Sequence, residues 1–156
     1  MSDDADEIIY RHCCPQGVKR VIASGSSAFV GVVDDSTVLK YPFAPGGDLS
    51  RLEIEKKLLQ IIGPHPRIIG YKGFSNKGLH LERAEKGTLA DCILESGNPL
   101  PTIHQRLCWF LEAAEAVAHI HSCKVLHCDI QPTHFLLDKD LSLKLPDFQG
   151  QQLSEE

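Results

Sequence analysis

The chain has 156 residues, enough for one domain burying roughly two thirds of the surface that its unfolded form exposes. Its composition, 42% hydrophobic and 24% charged, excludes a fibrous or wholly disordered chain. A formal charge of −5 with lysines and arginines scattered singly argues against nucleic acid as a partner. No apolar run approaches the ~18 residues of a membrane span, so no membrane partner is expected, and a cytoplasmic or nuclear location is.

Residues 1–17 begin "MSDDADEIIY", acidic and without sustained period, and read as a flexible lead-in. The six cysteines, in a chain that opens with no apolar signal, are expected to be free thiols. His121, Cys123, His127 and Cys128 crowd together, but without paired C-x-x-C knuckles the spacing fits zinc poorly.

From residue 18 to 42 come three short β-type runs, "VKRVIASG", "SAFVGVVDD" and "STVLKYP", separated by Ser, Gly and Asp turn residues. An antiparallel meander is predicted. "SRLEIEKKLLQIIG" follows as a helix: Ser50 and Glu53 have capping-box spacing, Leu58, Ile61 and Ile62 line one face, and Gly63-Pro64 ends it. "RIIGYKGF" and "GLHLERA" around an "SNKG" turn extend the sheet to five strands.

The character then turns helical. "GTLADCILES" is a short amphipathic stretch. "PTIHQRLCWFLEAAEAVAHIHS" opens with Thr102 and Gln105 at capping-box spacing, and Ile103, Leu107, Phe110, Leu111, Ala114, Val117 and Ala118 recur at three and four. That face is expected to seek burial. "VLHCDIQPTHFLLD" and the alternating "LSLKLPDF" close the chain before a polar tail at 151–156. A hairpin there would bring Asp129 and Asp147 to one edge, where two carboxylates can orient a hydroxyl and hold Mg²⁺ on a phosphate.

These last motifs resemble the protein kinase family, whose catalytic loop reads H-R-D-x-x-x-x-N and whose metal motif reads D-F-G. His127-Cys128-Asp129 is similar to the first and Asp147-Phe148 to the second. "VLK" places Lys40 where the family keeps its phosphate-contacting lysine, and Glu55 where the lysine's helix partner belongs. Leu81, Glu82, Arg83 and Ala84 resemble the gatekeeper and adenine-holding hinge. The resemblance implies an α+β fold: an N-lobe over 18–82, with a five-stranded antiparallel sheet and one helix, then a partial helical C-lobe over 83–150. It also implies ATP and Mg²⁺ as cofactors, Asp129, Lys40 and Glu55 in catalysis, Asp147 and His134 at the metal positions, and Gly25, Ser27, Leu81, Glu82 and Ala84 around the nucleotide.

The departures bear on activity. In "GSSAFVGV" Gly25 keeps one glycine position while Ser27 and Val30 fill the other two, and a β-branched Val30 does not reach positive φ. His134 stands where the family has a metal-binding asparagine, although Mg²⁺ prefers oxygen. Gln131 replaces a lysine, removing positive charge from the phosphoryl group, and Gln149 replaces the glycine of D-F-G with Gly150 directly after. The expected function is therefore a nucleotide-binding, kinase-like module with weak or absent phosphotransfer. An active serine/threonine kinase and a pocket recruited for small-molecule chemistry are the alternatives. With no peptide platform after Gly150, the long helix is expected to meet another protein chain or a second copy.

Overall fold

Five strands alternate with Ser-, Gly- and Asp-bearing turns as predicted: β1 (Arg20–Ser24), β2 (Ala28–Val32), β3 (Thr37–Pro42), β4 (Tyr71–Ser75) and β5 (Gly78–Glu82). In the computed structural model, which describes residues 14–95, 97 and 99–152, they form one antiparallel sheet in the order β1-β2-β3-β5-β4. The local chemistry sets the turns. Between β2 and β3 the Asp34 carboxylate accepts the Ser36 N–H at 2.8 Å, an Asx turn. Of the lead-in, residues 1–13 lie outside the described residues; within 14–17, the Gln16 carbonyl accepts a bond from Lys77 Nζ at 2.9 Å.

Helix α1 (Ser50–Ile62) packs on the sheet through Leu52, Glu55, Leu58, Leu59 and Ile62. Two expectations need correction here. Ile61 is 41% exposed, because at 100° per residue it falls off the face that Leu59 and Ile62 share. Ser50 caps nothing; it is the first helical residue, and the Asp48 carboxylate takes its N–H and hydroxyl at 2.9 and 2.7 Å. An anion before the first turn suits the helix dipole equally well.

Helix α2 (Leu89–Leu94) begins with a capping box that the sequence reading passed over, Thr88 with Asp91. Helix α3 (Ile103–Ser122) is capped by the Thr102 hydroxyl, which accepts from Gln105 N at 3.1 Å. Its buried residues are Trp109, Ala116 and Ile120, on the face opposite the predicted stripe. Ile103, Leu107, Phe110 and Leu111 stay 59–76% exposed. Trp109 and its neighbours win burial because a hairpin lies under them: β7 (Leu136–Leu137) with β8 (Leu143–Lys144). Trp109 Nε1 donates to the Leu141 carbonyl at 2.9 Å, and Glu112 accepts the Leu143 N–H at 2.8 Å.

Sheet and helices share one core. Leu79, Ile120, Val125, Leu137, Leu143, Leu145 and Phe148 are fully buried in it. Outside it, Arg67 pairs with Glu112 and Glu115 of α3 at 3.2 and 2.9 Å, and Lys144 pairs with Glu82 at 3.2 Å. The α+β architecture, with a five-stranded sheet and one helix leading into a helix-rich part, is the one expected.

Candidate functional site

Lys40 lies mid-strand on β3, opposite Val30 of β2 and Leu79 of β5, so its side chain leaves a rigid, three-strand-wide platform. Behind it Gly78 is required: a Cβ there would overlap the Lys40 carbonyl, and its φ of +147° disfavours other residues. Lys40 Nζ reaches Glu55 Oε2 at 2.8 Å and Asp147 Oδ1 at 2.7 Å. One ammonium thus joins the sheet, α1 and the segment after β8.

Burial dominates the electrostatics. It acts to lower the Lys40 pKa, but the carboxylates of Glu55 and Asp147 outweigh it and the net shift is upward. Burial pushes the Glu55 carboxyl up as well, with the Lys40 charge only partly offsetting it and Asp147 adding to the rise. Glu55 Oε1 is buried without a hydrogen bond of good geometry; the Phe148 N–H acts on that carboxyl only weakly.

Asp147 sits at φ +63°, a left-handed conformation that Asp tolerates better than most residues, and its carbonyl accepts from Gln149 N at 3.1 Å. This turn sends neighbouring side chains opposite ways: Asp147, half-exposed, to Lys40, and Phe148, fully buried, against the His127 ring at 5.2 Å between centroids. Gly150 then passes so close to the chain that a Cβ would overlap the Leu126 carbonyl, and β9 (Gln151–Gln152) pairs with β6 (Val125–Leu126). What the structure demands there is absence of a side chain; Gln149 is exposed and needs no glycine.

His127 holds Asp129 to this segment. Its ring is buried, Nδ1 accepts the Asp129 N–H at 3.3 Å, and Nε2 bonds the Pro146 carbonyl at 2.7 Å. Since a carbonyl only accepts and an amide N–H only donates, the proton sits on Nε2. Asp129 and Asp147 are therefore tied through one imidazole. From the other side, the Leu89 and Ala90 N–H groups at the start of α2 donate to Phe135 and Pro132, anchoring the loop on that helix.

Within the loop both oxygens of Asp129 are engaged. Gln131 Nε2 donates to Oδ1 at 3.1 Å, and His134 Nδ1 lies 3.1 Å from Oδ2 and 3.1 Å from the Asp129 carbonyl. His134 thus faces Asp129. The sequence reading treated Gln131 only as a lost charge and missed its bond to the carboxylate, for which its two-residue spacing was the available signal.

The remaining candidates fall into place unequally. Gly25 and Ser27 form the β1–β2 turn, closed by Gly25 N to Ala28 O at 2.9 Å. Leu81 is core, opposite Val38. The Glu82 side chain is structural, accepting from Gly70 N at 2.9 Å as well as from Lys144. Ala84 lies beyond β5, and among the described residues its N–H and C=O make no backbone hydrogen bond, leaving one donor and one acceptor at the edge. A concavity of about 470 Å³ lies elsewhere, between the end of α1 and β4, lined by residues such as Gly63, His65, Ile69 and Tyr71; the Lys40 triad does not line it.

Comparison with known proteins identifies the family. Residues 43–154 match the protein kinase domain model, a stretch that begins just after Lys40. The chain is 31% identical over 107 residues to serine/threonine-protein kinase kin-29 of Caenorhabditis elegans, covering 65% of this chain and 12% of that protein. It is 29% identical over 134 residues to serine/threonine-protein kinase GIN4 of Saccharomyces cerevisiae, covering 83% and 11%. To mitogen-activated protein kinase 15 of Xenopus laevis it is 33% identical over 105 residues, covering 65% and 18%. It spans less than a fifth of each of these relatives. As the matched stretch is more than half of the chain and the sheet, helix and loops stand in the order described, the chain belongs to the protein kinase family.

Proposed function

We propose that the cleft binds an adenine nucleotide, and that the domain works as a pseudokinase-type binding module with weak or absent phosphotransfer. The observation carrying this reading is the Lys40 bridge: an ammonium held between Glu55 and Asp147 offers a preformed cation for phosphate oxygens. Ala84, whose N–H and C=O make no backbone hydrogen bond among the described residues, would hold the adenine edge, and the Gly25–Ser27 turn would cover the phosphates.

The residues fit one divalent ion better than two. Among the described residues Asp147 Oδ2 has no partner, and a half-exposed carboxylate oxygen suits Mg²⁺. His134 offers nitrogen, and offers it to Asp129. A bound Mg²⁺ would neutralise charge on the phosphates. Asp129, as base, would orient an acceptor hydroxyl, but Oδ1 accepts from Gln131 and Oδ2 lies 3.1 Å from His134 Nδ1, so an incoming hydroxyl competes with one hydrogen bond and one close contact. This competition supports weak transfer.

The same Lys40–Glu55 pair also favours the second reading, an active kinase, since that pair must be formed for transfer. Melting the protein with and without ATP and Mg²⁺ tests nucleotide binding: ligand at 100 times its Kd adds about 2.7 kcal/mol. The rise is expected, and Asp147→Ala removes its Mg²⁺ dependence. A melting curve unmoved by ATP refutes nucleotide binding, and phosphoryl transfer from ATP to a hydroxyl acceptor with matching ADP formation at the ~1–100 s⁻¹ typical of kinases refutes the weak-transfer half.

A further inference from the structure

Two titratable rings that the cleft does not use meet where the α1–β4 connection touches α3. His65 of the connection and His119 of α3 are stacked, with 4.1 Å between ring centroids and 17° between planes. His65 Nδ1 accepts the Arg67 N–H at 3.1 Å, and His119 Nε2 donates to the Ile62 carbonyl at 3.0 Å. The neutral rings therefore both carry their proton on Nε2, and a second proton on either has to enter at Nδ1. At His119 that leaves the bond to Ile62 intact. At His65 it sets one N–H against another and opens the turn.

That turn holds other contacts in place. Ile68 N donates to the His65 carbonyl at 3.1 Å, and the Arg67 guanidinium reaches Glu112 and Glu115 of α3. Leu145, two residues before Asp147, donates to the Arg67 carbonyl at 2.8 Å and accepts from Ile69 N at 3.1 Å. We propose that the His65–His119 stack is a pH-sensitive latch between the α1–β4 connection and α3, closed while His65 Nδ1 accepts from Arg67 and opened when that nitrogen takes a proton. His65 is half-buried and lines the concavity of about 470 Å³, so water can deliver the proton. Among the charges around it, Arg67, Lys144 of β8 and a protonated His119 oppose a charge on His65, while Glu115 favours one. Glu112 is paired with Arg67, and Glu82, which lines the same concavity, with Lys144. Burial, the largest influence, and then the His119 ring hold the His65 pKa below the usual 6.5. The sign follows: the latch's stability is full above about pH 6.5 and is lost as pH falls through the folded value.

Nitrogen NMR of the histidines in the full chain, followed from about pH 8 to about pH 5, reads the latch directly. The expected result is the Nε2–H tautomer for both rings at the alkaline end, a His65 midpoint below about 6.5, and an Arg67 amide resonance that moves with that midpoint. His65→Asn supplies the second measurement, because an Asn side-chain oxygen accepts the N–H two residues on without titrating. Between about pH 7.5 and about pH 5.5 the parent should lose about 2–4 °C more Tm than this variant. A His65 that titrates at about 6.5 or above overturns the proposal, and so does an Arg67 amide that ignores the titration. A parent whose Tm falls no further than that of His65→Asn overturns it as well; if the variant does not fold, the parent's titration decides alone.

Discussion

Lys40 and Glu55 are worth most to the molecule as a pair. Their side chains are 6% and 1% exposed, so removing one strands the other's charge in the core. Lys40→Met is expected to cost about 3–5 kcal/mol in urea denaturation, and adding Glu55→Leu should recover most of it. The pH dependence has a definite sign. A carboxyl whose folded pKa is raised contributes stability that is present below its unfolded value, near 4.5, and lost as pH rises through the folded one. Without the Lys40 charge the Glu55 pKa rises further. The deficit of Lys40→Met relative to the parent should therefore grow from pH 4.5 toward neutrality; a deficit that shrinks would contradict a buried, uncompensated Glu55. At Gly150 the constraint is steric. Gly150→Ala should lose about 1–3 kcal/mol by forcing β9 off β6. It should also weaken any ATP-induced rise in Tm, whereas Gln149→Gly should leave stability nearly unchanged.

Among the elements, α3 separates two kinds of hydrophobic residue that look alike in sequence. Trp109 is 4% exposed and hydrogen-bonded to Leu141, and Phe110 is 76% exposed. Trp109→Ala is expected to cost about 3–5 kcal/mol, while Phe110→Ser should stay within about 0.5 kcal/mol for the monomer, both measured by chemical denaturation. A large loss at Phe110 would mean that its face is covered. The apolar period was legible in the sequence; which of two competing faces would be buried was not. Ile103, Leu107, Phe110 and Leu111 form the stronger pattern, yet the β7–β8 hairpin meets the face carrying Trp109, Ala116 and Ile120. Cap chemistry was legible where the residue was followed correctly, as at Thr102. It was misassigned at Ser50, where one residue's shift in the helix start handed the role to Asp48.

For the whole molecule, the contacts between the sheet and the later part of the chain predict cooperative unfolding. Glu82–Lys144 and Lys40–Asp147 join the sheet to β8 and the segment after it, the Arg67 pairs join the α1–β4 connection to α3, and a continuous core cluster runs through both parts. Urea transitions followed by the single tryptophan, Trp109, and by far-ultraviolet circular dichroism should coincide. Separated midpoints would show the two parts unfolding independently.

The sequence by itself determined the elements and their order. β-runs with Asp and Gly turns, a helix between the third and fourth strands, and HxD and DF motifs on either side of a hairpin are local signals, readable from residues a few positions apart. Tertiary structure alone decided the long-range pairings. Lys40 and Asp147 are 107 positions apart, and no periodicity connects them. The clamp of Gln131 and His134 on Asp129 depends on how a Pro-containing loop turns once His127 is fixed under Pro146. The choice of face on α3 and the need for a bare Cα at Gly150 likewise depend on what packs against them, since burial and close approach are properties of two segments at once.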